Sequence, residues 1–104
     1  MSDNLINKSL AELVGTFVLI TVILNVTTRP DARGPLDFAI PIGLALAASI
    51  LLFGGLSGGH FNPAVSLTMF FKDSTAFPLV ALITYILAQC IGGVGALQWF
   101  KMKE

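Results

Sequence analysis

The sequence is poor in charged residues, and long stretches of it contain none. Lys, Arg, Asp and Glu make up 12% of the 104 residues, whereas 55% are hydrophobic. An average soluble domain carries roughly 25% charge, about twice this fraction. The length suits one domain and is too short for two soluble ones. So little charge on so apolar a chain argues against an ordinary soluble domain.

Cysteine and histidine are also scarce, with Cys90 and His60 the single examples. One cysteine excludes an internal disulfide, and we interpret Cys90, which lies in an apolar stretch, as a packing residue. We interpret His60 as a packed, hydrogen-bonded loop residue, because no second histidine or carboxylate at ligand spacing accompanies it. No nucleophile–base pair is visible either, so we expect neither an enzyme nor a bound cofactor.

Neither positive nor negative charge is in excess. The six basic and six acidic residues give a net charge of +0, so nothing in the balance favours nucleic acid as a partner. The basic residues are scattered over the chain: Lys8, Arg29, Arg33, Lys72, Lys101 and Lys103. We therefore expect no nucleic-acid binding.

Three apolar stretches dominate what is present. Residues 38–56 and 76–100 contain no charged residue, and residues 9–28 contain only Glu12. A helix of about 20 such residues crosses a bilayer core of about 30 Å. The sequence thus predicts a multi-pass integral membrane protein embedded in the lipid bilayer. The predicted spans are residues 9–26, 38–53 and 76–100, with residues 1–8 at the membrane surface.

The first stretch has an alternative interpretation as a cleaved signal peptide, since Lys8 precedes it. The residues that follow Leu24 contain no small-x-small cleavage site, and Glu12 stands at the entry of the apolar run. We therefore expect this stretch to be the first span.

Residues 54–71 differ from the three spans. Four glycines interrupt Gly54-Gly55-Leu56-Ser57-Gly58-Gly59-His60, and glycine destabilises a helix interior. The apolar run of residues 64–71 that follows would rise only about 12 Å as a helix. Irregular backbone at membrane depth is tolerated only where it is buried in protein or lines a watery cavity. The sequence therefore predicts a re-entrant loop with a half helix, and with it a pore or binding cavity.

Asn62-Pro63 marks the start of this half helix, because asparagine is favoured as N-cap and proline at the first helical position. The helix would direct its positive dipole end and unpaired N–H groups toward the middle of the membrane. The Asn62 amide can donate into a lumen while its oxygen caps the backbone. Such donors hold a water or hydroxyl oxygen, and the field repels cations and protons.

The string Ser57-Gly58-Gly59-His60-Phe61-Asn62-Pro63-Ala64-Val65 resembles the first signature motif of the aquaporin, or major intrinsic protein, family. Two further strings are similar to the family's first and third helices: Ala11-Glu12-Leu13-Val14-Gly15-Thr16 and Tyr85-Ile86-Leu87-Ala88-Gln89-Cys90-Ile91-Gly92-Gly93. The resemblance implies a passive channel for water or small neutral solutes such as glycerol. It places Gly59, His60, Asn62, Pro63 and Ala64 at the pore.

The resemblance also implies supporting roles for two polar residues within the spans. Glu12 would face the bundle interior and hold the re-entrant loop by hydrogen bonds, since a lone carboxylate in a span is costly. Alternatively Glu12, which lies only one turn into the helix, reaches the lipid headgroups. Gln89 would form hydrogen bonds inside the bundle.

The resemblance covers only half of an ordinary family member, which has two such units in inverted orientation. We therefore predict half of the aquaporin-like fold, as a single unit over residues 1–104: an all-α membrane protein with three transmembrane helices and one re-entrant half helix. The family's narrow filter position falls at Ile42, where water channels usually carry Phe and glycerol channels Trp. Val65 follows the motif, and the filter arginine is missing here. The resemblance therefore does not decide between water and glycerol.

Several hypotheses stay open at this point. Two half units could pair in inverted orientation, as a homo-oligomer or with a complementary half unit, and form a channel. The difference in basic residues between the two membrane sides is small, with Lys8 and Lys72 on one side and the other four on the opposite side. So weak a bias permits insertion in both orientations. Alternatively the chain is a non-conducting fragment, or a membrane interaction subunit that assembles with a full-length channel and modulates it.

Overall fold

The computed structural model describes residues 3–104, and within that range every regular element is a helix. In chain order these are α1 (Asp3–Thr27), α2 (Leu36–Ser57), α3 (Pro63–Lys72) and α4 (Leu79–Met102). By length and composition, α1, α2 and α4 are able to cross a membrane, whereas α3 has only 10 residues. The predicted all-α fold with three spanning helices and one shorter helix is confirmed.

The helix ends differ from those of the predicted spans. The α4 helix begins at Leu79, three residues later than predicted, because Pro78 has an extended backbone as the N-cap, whereas the other helix ends lie beyond the predicted ones. Residues 1 and 2 of the predicted surface segment lie outside the described range, and α1 already begins at Asp3. The α2 helix continues through Gly54 and Gly55 and ends at Ser57, in a stretch that we predicted as loop. Hydropathy reports which residues suit the bilayer core, whereas the backbone hydrogen bonds of a helix continue past that core. Glycine weakens a helix interior by only about 1 kcal/mol, which neighbouring packing can offset.

The α1 helix lies between α2 and α4 and contacts both, while α3 contacts α4. The α1 and α4 backbones approach so closely that a Cβ atom at Gly92 would collide with the carbonyl oxygen of Leu13. Nearer the other end of the pair, the rings of Phe17 and Trp99 stack with centroids 5.8 Å apart. The two helices therefore run parallel and begin at the same end of the molecule. Small residues at such a crossing permit close packing in a membrane.

The buried side chains are mostly small or polar, whereas many large apolar side chains face outward. Leu51 of α2 is 86% exposed, and many other leucines, isoleucines and valines are exposed as well. The buried polar residues are Glu12, Thr16, Ser49, Ser57, Ser66 and Gln89. This distribution suits a lipid environment outside and a hydrogen-bonded network inside.

Candidate pore site

The chain between α2 and α3 has an unusual backbone. Gly58 and Gly59 have φ values of 90° and 65°, and Phe61 has a φ of 53°. Glycine reaches this left-handed region readily, but a residue with a Cβ atom loses roughly 1–2 kcal/mol there. The surroundings of Phe61 must therefore hold the loop in this conformation.

The carboxylate of Glu12 supplies that support, from a side chain that is 0% exposed. One oxygen accepts hydrogen bonds from the Phe61 backbone N–H at 2.7 Å and from Gln89 Nε2 at 3.0 Å. The other oxygen accepts from Ser57 Oγ at 2.7 Å and from the His60 backbone N–H at 3.0 Å. All four partners donate, and a carboxylate has acceptor positions for all of them. A buried carboxylate satisfied in this way fixes the loop to α1.

The Phe61 ring completes the attachment of the loop to α1. Its side chain is 3% exposed and makes an edge contact with Phe53 of α2, with ring centroids 6.5 Å apart. The ring also lies directly on Gly15, where an added Cβ atom would overlap with it. Glycine at position 15 is therefore required by this close approach. Because protein interiors are densely packed, even one added methyl group at this position would disturb the packing.

Two residues that the sequence reasoning assigned no role, Ser66 and Tyr85, extend the network. Ser66 of α3 is 0% exposed, and its Oγ lies 2.8 Å from both Gln89 Nε2 and His60 Nδ1. The Tyr85 hydroxyl donates to the Ser57 carbonyl oxygen at 2.5 Å. The only sequence signal for Ser66 is a hydroxyl in a short apolar helix, which by itself predicts no partner. Together these bonds join α3 and the end of α2 to α4.

His60 lies in an aromatic cluster with Phe77 and Tyr85. The ring centroids are 5.1 Å apart for His60 and Phe77, 5.0 Å for His60 and Tyr85, and 4.8 Å for Phe77 and Tyr85. His60 also lines an open cavity of about 250 Å³, together with Met69, Lys72, Asp73, Ala76 and Phe77. The histidine therefore stands between the buried network and a space open to solvent.

Asn62, Pro63 and Ala64 lie on the exposed side of the loop. Asn62 is the N-cap of α3, with its side-chain oxygen 2.8 Å from the Ala64 backbone N–H, and Pro63 occupies the first helical position. Within residues 3–104, no protein group accepts a hydrogen bond from the Asn62 amide nitrogen. The cap thus uses the oxygen and leaves both amide hydrogens without a partner among the described residues.

The structure brings together most of the residues that the sequence singled out. Gly59 donates its backbone N–H to Ser57 Oγ at 3.2 Å and so belongs to the loop network. Ile42 is half-buried and lies early in α2, about 22 Å along the helix from Ser57 at 1.5 Å per residue. Residues 3–104 contain no group of three or more His, Cys, Asp or Glu that could hold a metal ion.

Residues 1–103 match the family model described as Major intrinsic protein. The chain is 43% identical over 90 residues to "Glycerol uptake facilitator protein-like 6" of Lactiplantibacillus plantarum, which covers 86% of the chain and 40% of that protein. It is 36% identical over 103 residues to "Nodulin-26" of Glycine max (89% and 37%), and 35% identical over 95 residues to "Aquaporin Z" of Photorhabdus laumondii (86% and 40%). No solved structure matches significantly. The chain thus spans about two fifths of the length of these relatives.

Proposed function

Since this chain belongs to the major intrinsic protein family and is a multi-pass integral membrane protein, we propose that it forms a passive channel, or half of one. The solutes would be water or small neutral molecules such as glycerol. The observation that carries the proposal is the start of α3, where the Asn62 amide presents free donors on an exposed face. The relatives named for water and glycerol transport add to it.

Asn62 would select by hydrogen bonding and by the field of α3. Its free amide hydrogens donate to the oxygen of a passing water or hydroxyl group. The N-terminus of α3 adds a partial positive charge at the same place. A neutral solute exchanges its water partners for these donors, whereas a cation meets donors and positive charge there.

Glu12 and Gln89 would keep Asn62 in place without touching the solute. Both are buried behind the loop and share a hydrogen bond of 3.0 Å, and Glu12 also accepts from the two backbone N–H groups that precede Asn62. The complete burial of Glu12 favours this bracing role over one at the lipid headgroups. The proposed pore therefore depends on a network outside the lumen.

One unit of this kind would form only part of a pore wall. Asn62, Pro63 and Ala64 lie open, and a pore needs protein on every side, because polar backbone facing lipid costs several kcal/mol per group. We propose that a complementary half unit covers them. This unit is a second copy in inverted orientation or the further part of a longer chain. There are two alternative hypotheses. In one, the chain is a fragment that conducts nothing alone. In the other, it is a subunit that modulates a full-length channel.

The experiment that tests conduction is osmotic swelling and shrinking of reconstituted vesicles. Vesicles with the chain alone, with the chain plus a full-length family member, and with no protein are exposed to a water gradient and then to a glycerol gradient. The paired channel predicts faster volume change with the chain alone. Rates equal to protein-free vesicles at high protein density would support the fragment reading. A change seen only alongside the full-length channel would support modulation.

A further inference from the structure

The buried network behind the loop ends at His60, and its hydrogen bonds have a fixed direction. The Glu12 carboxylate has only acceptors, so Gln89 must turn its amide nitrogen toward it, at 3.0 Å. The same nitrogen lies 2.8 Å from Ser66 Oγ. With the amide reversed, its oxygen would face the carboxylate and its two N–H groups would lose both acceptors. Gln89 therefore donates to both neighbours, although its own oxygen has no partner among residues 3–104.

Ser66 transmits this direction to the His60 ring. Its Oγ accepts from Gln89, and its other side-chain partner in the described range is Nδ1 of His60, at 2.8 Å. Ser66 is 0% exposed, so its single hydroxyl hydrogen needs an acceptor within the protein. An Nδ1–H group on His60 would point at the same oxygen and leave that hydrogen without an acceptor. Ser66 thus donates to Nδ1, which must then carry no proton.

The neutral His60 ring therefore carries its proton on Nε2, across the ring from Nδ1. No group in the described part of the chain accepts a hydrogen bond from Nε2, and this atom is not buried. It lies beside Gly58, an exposed residue, where an added Cβ atom would come within 3.3 Å of it. The ring also lines the open cavity of about 250 Å³. The Nε2–H group is thus accessible, whereas Nδ1 is held inside the network.

We propose that Gln89 and Ser66 are positioning residues that fix His60 as the Nε2–H tautomer, so that the loop presents a second donor to a water or hydroxyl oxygen. The opposite tautomer would present a lone pair, which accepts protons and binds metal ions. A donor in its place suits a neutral solute, as the free amide hydrogens of Asn62 do. The contact with solute rests on the proposed channel function, whereas the tautomer follows from the network alone.

The test is nitrogen NMR of the full chain in lipid bilayers at about pH 8, where an ordinary histidine is neutral. His60 is the single histidine of the sequence, so histidine labelled at its ring nitrogens reports on this ring alone. The nitrogen shifts and the coupling to hydrogen distinguish a protonated from an unprotonated ring nitrogen. We expect the proton on Nε2 and a cross-peak between Nε2–H and water.

Variants separate the positioning role from a general effect on α3. Ser66→Ala removes the hydroxyl that donates to Nδ1, and one hydrogen bond of about 1 kcal/mol corresponds to an about fivefold change in an equilibrium. We therefore expect the ratio of Nε2–H to Nδ1–H to fall about fivefold, and Ser66→Thr, which keeps the hydroxyl, to retain it. Gln89→Met should lower the ratio as well, because Ser66 can then accept from Nδ1–H. The control is Thr68→Ala, which removes an α3 hydroxyl that donates to the Ala64 carbonyl oxygen, and it should leave the ratio unchanged. Circular dichroism checks that each variant keeps its helix content.

Three results would overturn the proposal. A proton on Nδ1 in the unmodified chain would contradict the direction of the network. An unchanged ratio in Ser66→Ala and Gln89→Met, or an equal fall in Thr68→Ala, would show that these residues do not set the tautomer. An Nε2–H group without contact to water would remove it as a donor to solute. Because none of these readouts measures solute flux, failure here leaves the proposed channel function untouched, and vesicles that fail to swell would leave the tautomer assignment intact.

Discussion

The backbone N–H of Phe61 donates a hydrogen bond of 2.7 Å to the carboxylate of Glu12, 49 positions earlier in the chain. Phe61 is also the non-glycine residue with a positive φ among residues 3–104. The strained residue of the loop is thus the one that the buried carboxylate holds directly. Strain of about 1–3 kcal/mol persists only where surrounding contacts determine the conformation. The Glu12 network, together with the Phe61 ring packed on Gly15, provides such contacts.

Replacement of Glu12 should destabilise the fold in proportion to the acceptors lost. Glu12→Leu leaves the backbone N–H groups of His60 and Phe61 without their acceptor, at about 1–3 kcal/mol each before relaxation. It also removes one hydrogen bond each from Ser57 Oγ and Gln89 Nε2. Glu12→Gln keeps one oxygen and should lose less. The measurement is thermal unfolding in detergent, followed by circular dichroism. If Leu is as well tolerated as Gln, the loop does not depend on this carboxylate.

Two glycines in spanning helices should respond oppositely to the same substitution. In Gly15→Ala the new methyl group would overlap with the Phe61 ring, and overpacking of this kind costs about 1–3 kcal/mol. At Gly43 nothing lies within 4 Å of an added Cβ, so Gly43→Ala should be neutral or stabilise α2 by up to about 1 kcal/mol. Unfolding temperatures of the two variants provide the comparison. Equal shifts would show that Phe61 does not pack on Gly15.

A neighbouring pair of glycines tests the crossing of α1 and α4. Gly92→Ala would place a methyl group against the Leu13 carbonyl oxygen, and backbone cannot move aside as a flexible side chain can. Gly93→Ala would meet only the Ile20 side chain at an ordinary 3.7 Å. We expect Gly92→Ala to lower the folded yield and the unfolding temperature clearly more than Gly93→Ala. An equal response would contradict the close backbone approach.

The sequence predicted the architecture better than the internal contacts. The charge-free runs of residues 38–56 and 76–100 are long enough to require spans, and Asn62-Pro63 predicts a helix start on local grounds. The predicted position of the end of α2 was wrong, because Gly54 and Gly55 weaken a helix but do not have to end it. The partners of Ser66 depend on how α3 meets α4, and the left-handed φ of Phe61 depends on Glu12. Neither has a local signal.

If two copies pair in inverted orientation, each terminus should be found on both sides of the membrane. A peptide tag at Glu104 would be cleaved by protease added outside sealed vesicles in about half of the molecules, and in the rest only after permeabilisation. The mass in mild detergent would be that of a dimer. A full-length family member with a tag of known orientation serves as the control. One uniform orientation with a monomeric mass would contradict pairing and favour the fragment reading.

The role of Asn62 as a pore donor can be separated from its role as helix cap. Asn62→Asp keeps the oxygen that caps Ala64 but removes both amide hydrogens and adds a negative charge. Asn62→Ala removes the cap as well, at about 1 kcal/mol. The control is Asn25→Ala, at an exposed position near the C-terminal end of α1.

The deciding measurement is the osmotic volume change of vesicles that contain the conducting assembly, at equal protein density and with helix content checked for each variant. If Asn62 donates to the passing solute, Asn62→Asp should fold like the unmodified chain, conduct water more slowly and admit cations, while Asn25→Ala conducts normally. Rates and cation exclusion unchanged in both Asn62→Asp and Asn62→Ala would remove Asn62 from the pore and contradict the proposed function.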